Sequence, residues 1–194
     1  RSYMDNYYNA MDTIIQQLMS AEVNSEDTSS PAALWRKSRY YKIIDVCKIR
    51  TADEFDSIYP IDLSYFFFFR ILPLQKETID ERLSAYYDRL TDDNRERIAP
   101  ILTLALVKKT VAKSLRRFDI LEFPPTIRNL FDDSHASRSG KDEHDAALDL
   151  ADRLDLEAEE LIANADTLLA TDASVDFCSN SAYNRPDDKI IMLP

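Results

Sequence analysis

Glycine is almost missing from these 194 residues, with Gly140 the single example. Phosphate-cradling loops take several glycines, because only a residue without Cβ adopts positive φ cheaply and lets backbone amides close on a ligand. Tight two-residue hairpins lean on glycine too, so a sheet with many short turns is disfavoured and helix is what remains. Long apolar runs are lacking as well. The longest, Tyr65 to Leu74, holds Arg70 and Pro73 and falls far short of the ~20 residues a membrane span takes. Cysteine is scarce: Cys47 and Cys178 stand far apart with no CxxC spacing and read as reduced thiols of an intracellular protein, a disulfide being a question of geometry that sequence does not answer. No signal or transit peptide pattern is visible. The chain opens Arg1-Ser2-Tyr3-Met4-Asp5 into a helical pattern without an initiator methionine, which is expected of a piece of a longer protein.

What is present is a helical pattern with enough apolar content, 45% of 22.4 kDa, to bury a core without staples. The net charge of −11 is unevenly placed. Between Asp142 and Asp176 stand twelve acids and one base, Arg153, so the remainder is balanced. The densest basic stretch is Lys108, Lys109, Lys113, Arg116 and Arg117. It reads as a face paired with the acidic segment or solvated in its own right, in preference to a nucleic-acid contact, because phosphate would repel so acidic a chain at long range.

Tyr3, Tyr7, Ala10, Ile14 and Leu18 recur at helical spacing and predict an amphipathic helix over 3–19. Ser30-Pro31 opens a short helix carrying Trp35, and 40–49 reads as irregular or as a short extended piece. Thr51-Ala52-Asp53-Glu54 is a capping box for a helix ending near Ile58, before Tyr59-Pro60. Asp62 is placed to cap a helix from Leu63 towards Leu90, with a kink or break at Pro73. Phe66, Phe67, Phe68 and Phe69 point all round that helix, which puts it in the middle of the fold or at an interface. Thr91 starts a helix over 92–118 that Pro100 bends or begins. Segments 120–125 and 126–131 suggest a small β element, and 132–140 a polar loop. A last helix over 142–170 carries a seam of Leu148, Ala151, Leu154, Ala158, Leu161, Ala165 and Leu168. The tail from Thr171 shows no helical period, and its apolar end, Ile190-Ile191-Met192-Leu193, reads as a strand that tucks onto the fold, near 120–131, or adds to a partner.

The fold class expected is therefore a mainly α multi-helix bundle with kinked long helices and possible pairing of 189–193 with 120–131. Residues 1–50 form an N-terminal helix, linker and short helix, and 51–194 the main helical domain. Phe66 to Phe69 and Ile190 to Leu193 are the candidate interaction surface. Trp35 and Tyr40, Tyr41, Tyr59, Tyr65, Tyr86 and Tyr87 read equally as interface anchors or core. Oxygen and imidazole ligands cluster only around His135 and His144, with no HExxH, repeated Glu-x-x-His or Cys/His knuckle spacing, so metal binding or acid chemistry there is the alternative function. A nucleic-acid module through 108–117 is a second alternative. No catalytic residue or cofactor is assigned.

Trp35-x-x-Ser38-x-x-Tyr41, the phrase Ile49 to Asp56, Ile61 with the Phe/Leu/Pro helix after it, the helix Ile98 to Lys113 and the tail Asn184 to Leu193 resemble an uncharacterised family of Bacteroidetes genomes, their prophage-like elements and phages. The resemblance covers most of 35–193 and departs at Pro124-Pro125, where the family has a small glycine-containing turn. It implies a longer protein, with residues 3–19 closing an upstream part. It also implies a non-catalytic component of the virion, such as a head–tail adaptor with protein partners or copies of itself, found in the host cytoplasm or the virion.

Overall fold

Hydroxyl caps fix where the helices of this computed structural model begin. The structure describes residues 2–24, 26–119, 122–123 and 143–179, with backbone alone at 2, 4, 5, 143 and 172–179. Helix α1 (Ser2–Ser20) is followed by α2 (Pro31–Lys37), α3 (Arg39–Lys42), a 3-10 turn (Ile43–Val46) and α4 (Ala52–Ile58). Next come α5 (Tyr65–Thr78), a π turn (Ile79–Leu83), α6 (Ser84–Tyr87), α7 (Asp92–Arg117) and α8 (Glu143–Ser179). Ser30, Ser38, Thr51 and Ser64 each accept a backbone N–H from the third residue on, at 3.1–3.2 Å. Each such cap contributes about 1 kcal/mol.

The mainly helical bundle is what the structure shows, and among the described residues there is no strand. The β element at 120–131 and its pairing with 189–193 lie outside the described residues, apart from Glu122 and Phe123. Residues 40–46 are helical, in α3 and the 3-10 turn, because Ser38 caps the segment; only 47–49 are irregular, with Cys47 in an extended conformation. Thr51 caps α4 as expected, while Glu54 reaches back to the amide of Arg50 at 2.9 Å, one residue before the usual partner.

Asp62 is no cap. It lies at φ 53°, in the left-handed region that aspartate tolerates better than most residues, and Ser64 caps α5 instead. Asp56 holds this turn, its two carboxylate oxygens accepting the amides of Ile61 and Leu63 at 3.1 and 2.7 Å. Neither proline stops its helix, since Pro73 lies inside α5 and Pro100 inside α7. Both rings are exposed, so water can serve the carbonyl that each leaves without an amide partner. The irregularity comes later, in the π turn, where the Ser84 amide donates to the carbonyl of Ile79, five residues back.

Helix α7 is the axis, packed most extensively against α8 and next against α5. Of the face expected from periodicity, Ile98, Leu102, Ala105, Leu106 and Ala112 are fully buried and Ile101 is half-buried. On α8 the buried seam is Ala147, Ala151, Leu154, Ala158, Ile162, Ala165 and Leu169, with Leu150 buried beside it. Their steps of four, three and four repeat, an eleven-residue period that suits a nearly straight helix better than a left-handed coil. The predicted seam is thus shifted by one at three places, where Leu148, Leu161 and Leu168 are half-buried flanks. Helix α8 also continues past the expected end, to Ser179.

Gln75, fully buried on α5, ties the loop after the 3-10 turn to this core. Its Oε1 accepts the amides of Lys48 and Ile49 at 2.8 and 2.9 Å, and its Nε2 donates to the Ile49 carbonyl at 3.1 Å. A buried amide with its carbonyl and one N–H satisfied by backbone is a specific clip, because an unmade bond there costs the full desolvation of its partner. No described helix is long and apolar enough to cross a membrane.

Candidate interaction surface

The four phenylalanines do point in every direction, but towards their own chain. Phe67 and Phe68 are buried. Phe66 meets Tyr8 with ring centroids 5.6 Å apart, Phe67 meets Phe123 at 4.9 Å, and Phe69 meets Trp35 at 5.1 Å. Phe67 and Phe68 thus belong to the core, while Phe66 and Phe69 are half-buried against α1 and α2. Ile190, Ile191, Met192 and Leu193 lie outside the described residues. Of the tyrosines, Tyr40 is exposed, while Tyr41, Tyr59, Tyr65, Tyr86 and Tyr87 pack half-buried on the core.

The basic stretch is paired throughout. Lys109 and Arg116 reach Asp155 and Asp152 of α8 at 3.2 and 2.8 Å, and Lys108 pairs with Glu157. Lys113 and Arg117 turn the other way, to Glu77 of α5 at 2.8 and 2.6 Å. The acidic helix is therefore only one of two partners, because α7 lies between α5 and α8. Arg82 and Arg89 extend the set to Glu159 and Asp166. The Arg117 guanidinium and then the Lys113 ammonium hold the Glu77 carboxyl down at about 2. Arg82, and then Lys109, hold Glu159 at about 2.

His144 is exposed in the first turn of α8, and His135 lies outside the described residues. Among the described residues no group of three or more His, Cys, Asp or Glu is placed to hold a metal. Cys47 is buried, its Sγ 3.7 Å from the Leu72 carbonyl, and burial pushes its thiol up to about 11, far from a reactive thiolate. The side chain of Cys178 is not among those described.

Among the described residues, clefts open on either side of α4. One, about 420 Å³, lies between α1, α4 and α5, with Phe68, Phe69 and Tyr65 against Thr13, Gln17 and Asp53. The other, about 530 Å³, is a shallow groove of Ile58, Ala99, Pro100 and Leu104 between α4 and α7. Neither is lined by Cys47 or His144.

Helix α1 has the unusual surface. It docks through Tyr8, Met11, Asp12, Ile15 and Met19, of which Ile15 alone is buried. Asp12 Oδ1 accepts the amide of Phe66 at 2.9 Å, adding a charged cap to the start of α5 from another helix. The predicted stripe runs along the edge of that face, where Leu18 is half-buried and Tyr7 meets Phe66 with ring centroids 6.1 Å apart, and out onto the exposed side. Tyr3, Tyr7 and Ile14 are 91%, 51% and 50% exposed, and Ala10 is exposed with them. Sequence reading found an apolar face here and missed the second one, Tyr8, Met11, Ile15 and Met19, which the fold actually uses. A signal was available: α1 carries only two charged residues, Asp5 and Asp12, in nineteen, in a chain 30% charged. A helix apolar on most sides has more than one neighbour. Leu34, Tyr40 and Val46 continue the trend, so that of the seven large apolar residues exposed among those described, Leu156 alone lies beyond residue 46.

Compared with protein-family models, curated proteins and solved structures, the chain matches none of them.

Proposed function

We propose that this chain is a structural, non-catalytic interaction protein that engages protein partners through its N-terminal layer, α1 to α3. The observation that carries the reading is the concentration of exposed large apolar side chains before residue 47, beside a body whose ionic groups face one another. Isolated exposed apolar residues are ordinary, but a cluster of them on a nearly uncharged helix is the composition of an interface centre, where tyrosine is enriched and charge depleted. The pairing of Lys108 to Arg117 supports protein contact over nucleic-acid contact, because a phosphate backbone would have to displace carboxylates already in place.

The resemblance noted above gives this reading its specific form, a head–tail adaptor of a phage or prophage particle. Native mass spectrometry and light scattering of the protein, alone and with the products of neighbouring genes, test the reading. Assembly that is lost on Tyr7→Glu with Ile14→Glu, in a protein of unchanged helicity, supports it. Strictly monomeric behaviour in every mixture would overturn it.

A further inference from the structure

We infer that the outer face of α1 is a self-association surface, on which a second copy of this chain docks its own α1 antiparallel about a twofold axis near Ala10. This rests on the reading of α1 as an interface and names its occupant.

Three features of the face select a copy of itself. First, residues 3, 6, 7, 10, 13, 14 and 17 share one side of the helix, all are exposed, and none is an acid or a base. Two copies of a chain with net charge −11 repel each other over most of their surfaces, and an uncharged face is where they can meet without placing like charges opposite. A partner chosen by charge would instead be drawn to acidic surface such as that of α8. Second, the stripe is nearly palindromic in size. Large residues Tyr3 and Tyr7 precede Ala10, and large residues Ile14 and, half-buried at the edge of the face, Leu18 follow it. A twofold axis at Ala10 therefore sets small against small at the crossing, where the helices must come closest, and lets Tyr7 of one copy pack beside Ile14 of the other. A C2 contact requires that kind of self-complementary patch. Third, Asn6, Thr13 and Gln17 flank the stripe with side chains that both donate and accept hydrogen bonds, so the rim pairs with itself as readily as the centre does.

One 19-residue helix is ~28 Å long, and a single pair of such helices buries less than a standard stable interface. The dimer is accordingly a reversible one. Its signature is the response to salt: screening the repulsion between two acidic bodies tightens it, whereas an interface made by charge attraction loosens as salt rises.

The test is sedimentation velocity over a protein concentration series at low and high salt, joined to mild oxidation of Ala10→Cys in a Cys178→Ser background. The expected result is a monomer–dimer equilibrium that shifts to dimer with salt. Tyr7→Glu/Ile14→Glu should weaken it by at least about tenfold, and Ala10→Cys should cross-link to itself while Leu156→Cys does not. A dimer indifferent to Tyr7→Glu/Ile14→Glu, or lacking the Ala10→Cys cross-link, would overturn the proposal. A closed ring of more than two copies, or a monomer whose binding to another protein still depends on Tyr7 and Ile14, would also overturn it while leaving the interaction reading intact.

Discussion

Along α7 and α8, a step outward from the Ala/Leu seam meets ion pairs: Lys109 with Asp155, Arg116 with Asp152, Arg82 with Glu159. Along α1, the face adjoining the docked one presents Tyr3, Tyr7 and Ile14 to water. Helix α1 is tied to its neighbours by few specific bonds, chiefly Asp12 to the Phe66 amide of α5 and, just past its end, the Ala21 carbonyl to Arg36 of α2 at 2.8 Å. The contrast teaches where each region's stability comes from. The α7–α8 pair holds itself, by close approach at alanines and by charges facing their partners, whereas α1 is held by one buried side chain, a few half-buried ones and a cap.

The sharpest way to break the comparison is to damage each region by the same chemistry. Leu102→Ala, at the centre of α7 with no exposure, should cost about 3–4 kcal/mol of global stability in chemical denaturation. Ile15→Ala, at the docking face of α1, should leave the denaturation midpoint nearly unmoved and instead expose α1 alone to proteolysis. Equal global losses from both would erase the distinction. Next in size is Gln75→Ala, which leaves the buried Ile49 amide without a partner and should cost about 2–3 kcal/mol by the same measurement.

A smaller effect is set by pH. Glu77 and Glu159 ionise at about 2 in the folded protein and near 4.3 when unfolded, so their folded values are depressed. Their contribution is fully present above about pH 5 and is lost as pH falls towards 2. Stability should therefore decline on acidification through that window, less steeply in high salt, since both side chains are partly exposed. Glu77→Gln should be less stable than the parent at pH 7 and indistinguishable from it near pH 2. A constant gap between the two across the whole range would remove the ion pairs from the account. Smallest of all in stability is Tyr3→Ser, at 91% exposure, expected to change unfolding by less than about 0.5 kcal/mol while weakening association.

How much of this was legible beforehand follows from the range of each interaction. Local signals carried through: Ser30, Thr51 and Thr91 mark helix starts because a cap is written in three or four consecutive residues. The burial of Ile98 to Ala112 shows as periodicity. The pairing of the basic stretch with α8 was legible from charge balance, but its division between α5 and α8 was not, because nothing in the local pattern says that Glu77 comes to lie beside Arg117. The Asp12 cap on α5 and the Gln75 clip join residues 54 and 26 apart and leave no mark on local sequence. Phe66 to Phe69 left the middle of the fold and an interface both open, because rings pointing all round a helix suit either, and nothing local says that α1, α2 and the turn at Phe123 each take one side. For α1, periodicity found an apolar stripe but could not say which of two such faces the fold would cover.

The measurement that bears most directly on the division between a self-sufficient body and an unfilled N-terminal face is hydrogen exchange read by mass spectrometry at low and high protein concentration. The account predicts slow, concentration-independent exchange across α7 and the buried part of α8, with protection of α1 that grows as concentration rises. Exchange in α1 that is as slow as in α7 and unaffected by concentration would contradict it.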